Sequence, residues 1–158
     1  MKRIIIIAIV CMLTLTGCGN STPKDSVAVD TTAVGSLPTD DVFEIREKMF
    51  IAQINDVYYN PSDYMGKMLK YEGVFDAYTY PETGQTFYSV IRYGPGCCGD
   101  DGNVGFEIKW DGKMPKQNDW VEVVGKVEAY KEGDYMYLRL GVERLDVLSV
   151  RGNEVVSQ

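Results

Sequence analysis

The chain has 158 residues, 45% of them hydrophobic, a net charge of −7 and no histidine. That is one domain's worth of residues with enough apolar material for an ordinary core. Its acidity repels nucleic-acid backbone, so no nucleic acid is expected as a partner, and the missing histidine removes the commonest metal ligand, the usual general base and every Ser-His or Cys-His pair.

Met1-Lys2-Arg3 is followed by an apolar run from Ile4 to Leu15 and then by Leu15-Thr16-Gly17-Cys18. A charged head, a short greasy stretch and a small-residue exit make an export signal. The run falls short of the roughly 20 apolar residues that span a bilayer. The tetrad resembles the bacterial lipobox, in which the signal is cut ahead of a cysteine that then carries lipid. The resemblance implies that residues 1–17 are a lipoprotein signal peptide and that Cys18 is the lipidated first residue of the mature protein. It also implies a lipid anchor on the extracytoplasmic side of a bacterial membrane, in the cell envelope. Cleavage would leave a mature chain of about 141 residues, more acidic still for the loss of Lys2 and Arg3.

Residues 18–41 are rich in Ser, Thr, Pro, Asp, Ala and Val without periodicity, the composition of a flexible tether. As a coil it spans roughly 25–30 Å. Residues 42–150 read as the folded domain. Phe43 and Ile45 alternate like a short strand; Phe50, Ile54, Val57 and Tyr58 recur at helical spacing, and Asn60-Pro61 stops that helix. Five strands follow: Met68 to Tyr80 with a bend at Gly73, Thr86 to Tyr93, Val104 to Trp110, Trp120 to Tyr130 and Tyr135 to Leu140. Pro81-Glu82-Thr83-Gly84 and Lys131-Glu132-Gly133-Asp134 supply turn chemistry between them. Leu145, Val147 and Leu148 close the domain, and residues 151–158 are a polar tail expected to fray. A mainly β chain of five curved strands behind one short helix predicts a small OB-like β-barrel.

Gly94-Pro95-Gly96-Cys97-Cys98-Gly99-Asp100-Asp101-Gly102-Asn103 is expected to be a glycine-rich loop. Cys11 and Cys18 being committed to the signal and to lipid, Cys97 and Cys98 are the remaining thiols. Three readings stay open. Thiolates bind zinc or another thiophilic metal, with Asp100 and Asp101 completing the shell. Adjacent cysteines in an oxidising compartment form a strained, reducible bridge. Or both are small packing residues beside an Asp-Gly-Asn turn. Glu107 follows on the next strand, either reaching back toward a bound metal or lying on an exposed face. Tyr78, Tyr80, Tyr88, Tyr93 and Tyr130 serve either strand packing or a stacking face for a sugar or base. No phosphate cradle and no activated nucleophile is visible, so no enzymatic activity is expected.

The order Asn60-Pro61, Tyr64, Gly66-Lys67, Gly73-Val74-Phe75, Arg92, Cys97-Cys98 with Asp100 close behind, Gly105, Asp119-Trp120-Val121 and Val124-Gly125 resembles the soluble domain of the YcgQ-like proteins. That family has no assigned function and is thought to accompany a membrane permease. The resemblance covers roughly residues 43–148. It implies a membrane-associated, extracytoplasmic OB-like domain with a metal-binding Cys-Cys-x-x-Asp loop, and a permease or another envelope protein as partner. The lipid anchor stands here in place of that family's transmembrane helices.

Overall fold

The computed structural model describes residues 42–157; the signal peptide expected over 1–17, Cys18 and the tether expected over 18–41 lie outside the described residues. Strand β1 (Val42–Glu44) and one 3-10 turn (Glu47–Met49) lead into helices α1 (Phe50–Tyr59) and α2 (Pro61–Tyr64). Strands β2 (Met68–Thr79), β3 (Thr86–Gly96), β4 (Gly99–Lys109), β5 (Trp120–Glu132) and β6 (Tyr135–Val147) follow. The five long strands run in the order β2-β3-β4-β6-β5, and β5 returns to pair with β2, which closes the barrel. The β4–β6 contact is parallel and the other barrel contacts are antiparallel. This is the OB-like barrel expected from the alternation of the strands, with β1 added in parallel to the start of β2.

Strand β2 makes the closure possible because its halves serve different neighbours. Met68 to Val74 pair with β5, and Val74 to Thr79 pair with β3. The edge left open along Met68–Lys70 is the one β1 covers, so no long bare edge remains there. The changeover falls beside Gly73. A Cβ at Gly73 would stand 2.7 Å from the Ile91 carbonyl oxygen and 3.0 Å from Val90 Cγ1, so only glycine lets β3 approach that closely at the bend.

Inward alternation builds the core from Leu69, Tyr71 and Phe75 of β2, Val90 of β3, Phe106 and Ile108 of β4, Val121, Val123 and Val127 of β5, and Leu140 of β6. Helix α1 packs Phe50, Ile51, Ile54 and Val57 onto it. Each such side chain, once buried, contributes roughly 1.5–3 kcal/mol. The Tyr71 hydroxyl sits inside this apolar mass, donating to the Val90 carbonyl (2.8 Å) and accepting from the Phe106 amide (3.2 Å). Outside the barrel, Val74, Ile91 and Trp120 form a second small cluster. Buried Arg92 joins the two, its guanidinium 4.8 Å from the Phe50 ring centroid and 4.9 Å from that of Trp120, with Nε donating to the Glu72 carbonyl at 2.8 Å.

Three features depart from the expected elements. The glycine-rich segment is not a loop: β3 runs on to Gly96 and β4 begins at Gly99. Ladder pairing uses backbone groups alone, which side-chain periodicity does not report. Strand β6 continues past Leu140 to Val147 because a bulge intervenes: Val124 pairs with Arg144 but Gly125 pairs with Val142, leaving Glu143 extra. One inserted residue turns Leu145 to the same core as Leu140 despite their odd spacing. The tail, expected to fray, folds back. The Tyr93 amide donates to Glu154, the Val156 amide donates to Tyr93 (both 2.8 Å), and Val156 is 3% exposed. One buried valine and two backbone bonds dock an otherwise polar tail, whereas Val155 stays half exposed.

Candidate functional site

The hairpin joining β3 to β4 has a tip of two residues, Cys97 and Cys98, flanked by the Gly96–Gly99 pair. In a regular strand, adjacent side chains point to opposite faces. At a turn that rule lapses, and the two Sγ atoms lie 3.4 Å apart. Just below the tip the register slips, so that Pro95 of β3 faces both Asp100 and Asp101 of β4. A bulge of this kind re-aims a side chain. The Asp101 carboxylate lies directly over Gly96, where a Cβ would fall 1.8 Å from its Oδ1. From there Oδ1 accepts the Cys98 amide at 3.3 Å, and Oδ2 stands 3.8 Å from Cys97 Sγ.

The two sulfurs and the carboxylate oxygen all lie within 4.8 Å of one another, on exposed residues. Sulfurs bound at the usual zinc distance in a tetrahedral shell are about 3.8 Å apart, and a sulfur and a carboxylate oxygen about 3.6 Å. The observed 3.4 and 3.8 Å are within a few tenths of those separations, and with the third pair within 4.8 Å the three donors could hold a metal ion. Both thiols are free and exposed. The reading in which they are buried packing residues is therefore corrected: the two-residue turn projects them beyond the barrel wall, where they are exposed among the described residues. The side chain of Asp100 lies outside the described residues, and so does Cys18.

Glu107 does not turn to the hairpin. It accepts a hydrogen bond from the Tyr130 hydroxyl at 2.5 Å. Burial, and then this bond, hold the Tyr130 proton well above the ordinary phenol range. Of the tyrosines singled out by sequence, Tyr78, Tyr80, Tyr88 and Tyr130 line one groove with Glu107, whereas Tyr93 belongs to the cluster around Trp120. Sequence reading overlooked Phe87 and Tyr137, which complete that groove. Tyr137 stacks on Tyr130 at 5.6 Å as its cross-strand partner. Extending the turn pairing at Gly133 outward by two residues on each strand would have found it.

The family profile described as the DUF1980 C-terminal domain matches residues 22–151. No curated protein and no solved structure matches the chain.

Proposed function

The chain belongs to the DUF1980 C-terminal domain family, consistent with a YcgQ-like domain, and on that premise we propose that it is a lipid-anchored binding module that captures a thiophilic metal ion outside the cytoplasm. Cys97 and Cys98 supply thiolates and Asp101 a carboxylate oxygen. One observation carries this reading: three donor atoms of suitable chemistry converge at an exposed tip. Soft sulfur ligands select zinc or Cu(I) over magnesium or calcium. A set of three leaves a position open for a partner's ligand or for release, the behaviour of a carrier rather than of a closed structural site. The sequence pattern of an export signal over residues 1–17, followed by Cys18, supports the anchor and the extracytoplasmic location, and a permease or another envelope protein is the partner that suits a tethered carrier.

Elemental analysis of the purified chain with its thiols reduced tests the metal. We expect about one ion per chain, lost in Cys97→Ser. Equal emptiness of wild type and variant rules the site out. For the anchor, Cys18→Ala is expected to move the protein from the membrane fraction to the soluble one; retention at the membrane defeats that part alone.

The 3.4 Å separation of the sulfurs favours one further reading, a reversible bridge between Cys97 and Cys98. Mass spectrometry across a series of redox buffers decides it, since thiols that stay free throughout exclude such a switch.

A further inference from the structure

A second candidate site lies on a different face. The groove between the β2–β3 turn and the β5–β6 turn has a volume of about 460 Å³, within the range of ligand pockets. Tyr78 and Tyr80 are about half exposed and meet edge to face at 5.0 Å; Tyr130 and Tyr137 stack on the opposite wall. Glu107 and Glu132 contribute carboxylates to the lining, and among the described residues the lining contains no lysine or arginine. Beyond Glu107 and Tyr137, which line both, the groove continues into a second cavity of about 610 Å³ walled by Met65, Ala129, Met136 and Leu138. Met136 is 64% exposed there.

Aromatic faces beside unneutralised carboxylates attract cations, and ring quadrupole and charge act in the same sense. The protein already uses this chemistry on itself. Arg139, the register partner of Glu107, lays its guanidinium 4.8 Å from the Tyr130 centroid and pairs with Glu128 at 3.5 Å. Its charge is shared with Glu128, which leaves Tyr78, Tyr80 and Tyr137 as the rings open to a second cation. Anionic ligands are repelled by the same carboxylates. The adjoining methionine-lined cavity adds an apolar strip that adapts to varied side chains.

We propose that this groove binds a peptide segment of a partner protein in which a lysine or arginine enters among the tyrosine rings between Glu107 and Glu132 and neighbouring apolar residues lie along Met65, Met136 and Leu138. The site is separate from the cysteine hairpin and does not depend on metal.

The test is an NMR titration of the purified chain with a capped Leu-Leu-Lys-Lys peptide, its lysine-acetylated counterpart and a neutral hexasaccharide. The charged peptide is expected to shift the ring signals of Tyr78, Tyr80, Tyr130 and Tyr137. Acetylation removes the charge and should weaken binding about fivefold or more, in line with cation–π and exposed ion-pair energies. Raising the salt should weaken the charged peptide alone. Glu132→Gln, a change on an exposed turn, should cost about twofold, and Tyr80→Ala about fivefold. Equal binding of the acetylated peptide overturns the proposal, as does silence of these rings toward the charged peptide. A hexasaccharide that shifts the same rings more strongly would make the groove a carbohydrate site instead.

Discussion

Placing alanine at Gly96 tests the proposed metal site without replacing any of its donor residues. The new Cβ would stand 1.8 Å from Asp101 Oδ1 and 2.8 Å from Asp101 Cγ, so the carboxylate must leave its place over the hairpin. It would also stand 2.8 Å from the Gly102 amide nitrogen, which asks the backbone to give by a few tenths of an ångström. On an exposed tip that strain costs about 1 kcal/mol, well within the stability of a domain of this size. The two thiols remain. Losing a direct carboxylate ligand should lower metal affinity by at least the roughly 10–100-fold that loss of an outer-shell partner costs, equivalent to about 1.4–2.8 kcal/mol or more. Titration with cobalt(II), followed through the thiolate charge-transfer absorption, reads the affinity, and a thiol count confirms that both sulfurs stay reduced. Asp101→Asn is the companion variant and should fall by a similar factor. Unchanged affinity in Gly96→Ala would show that Asp101 is no ligand. A loss in Gly96→Ala without one in Asp101→Asn would assign the effect to the backbone instead.

Arg92→Ala opens a void between the Phe50 and Trp120 rings and strips the Glu72 carbonyl of its donor; we expect a loss of about 3 kcal/mol in urea unfolding. Arg92→Lys should not restore it, because lysine lacks the flat face, and full rescue by lysine would contradict the stacking argument. Tyr71→Phe abandons both the Val90 carbonyl and the Phe106 amide inside the core, at about 2 kcal/mol; a variant as stable as wild type would mean those groups find other partners. Burial holds Tyr71 above the usual phenol range, and Tyr58, its hydroxyl tucked against the Gly105 carbonyl, is pushed up to about 12 by burial and then by Glu107. Both folded-state values exceed the value near 10 of an unfolded tyrosine, so the native state keeps protons that the unfolded chain releases. Stability is therefore full below about pH 10 and falls as pH rises from there toward 12. Urea midpoints measured across that window should decline, and less steeply in Tyr58→Phe; a flat profile would refute the burial of these hydroxyls. Deleting residues 154–158 removes the Val156 side chain and the two bonds to Tyr93 and should cost about 2 kcal/mol. A melting temperature identical to that of the full chain would make the docked tail ornamental.

The sequence by itself determined the barrel. Five alternating segments, the Gly73 bend and the turn residues after Tyr80 and before Tyr135 each report a local preference, and local preferences are what a linear chain displays. It also determined helix α1, because Phe50, Ile54 and Val57 can share a face only at helical pitch. The Cys-Cys pair stood out in the same way, as chemistry too unusual for its surroundings. Tertiary structure decided everything that rests on backbone pairing or on distant neighbours. The hairpin from Gly94 to Gly102 is held by amide and carbonyl groups that glycines share with every other residue, so side-chain pattern was blind to it. Asp101 comes to face the sulfurs beside a one-residue slip opposite Pro95. The bulge at Glu143 reversed the facing of Leu145. The groove of tyrosines and glutamates exists because closure brings the β2–β3 turn beside the β5–β6 turn, some 50 residues further along the chain. Periodicity tells a residue which side of its own strand it occupies; only the closed sheet tells it whom it meets there.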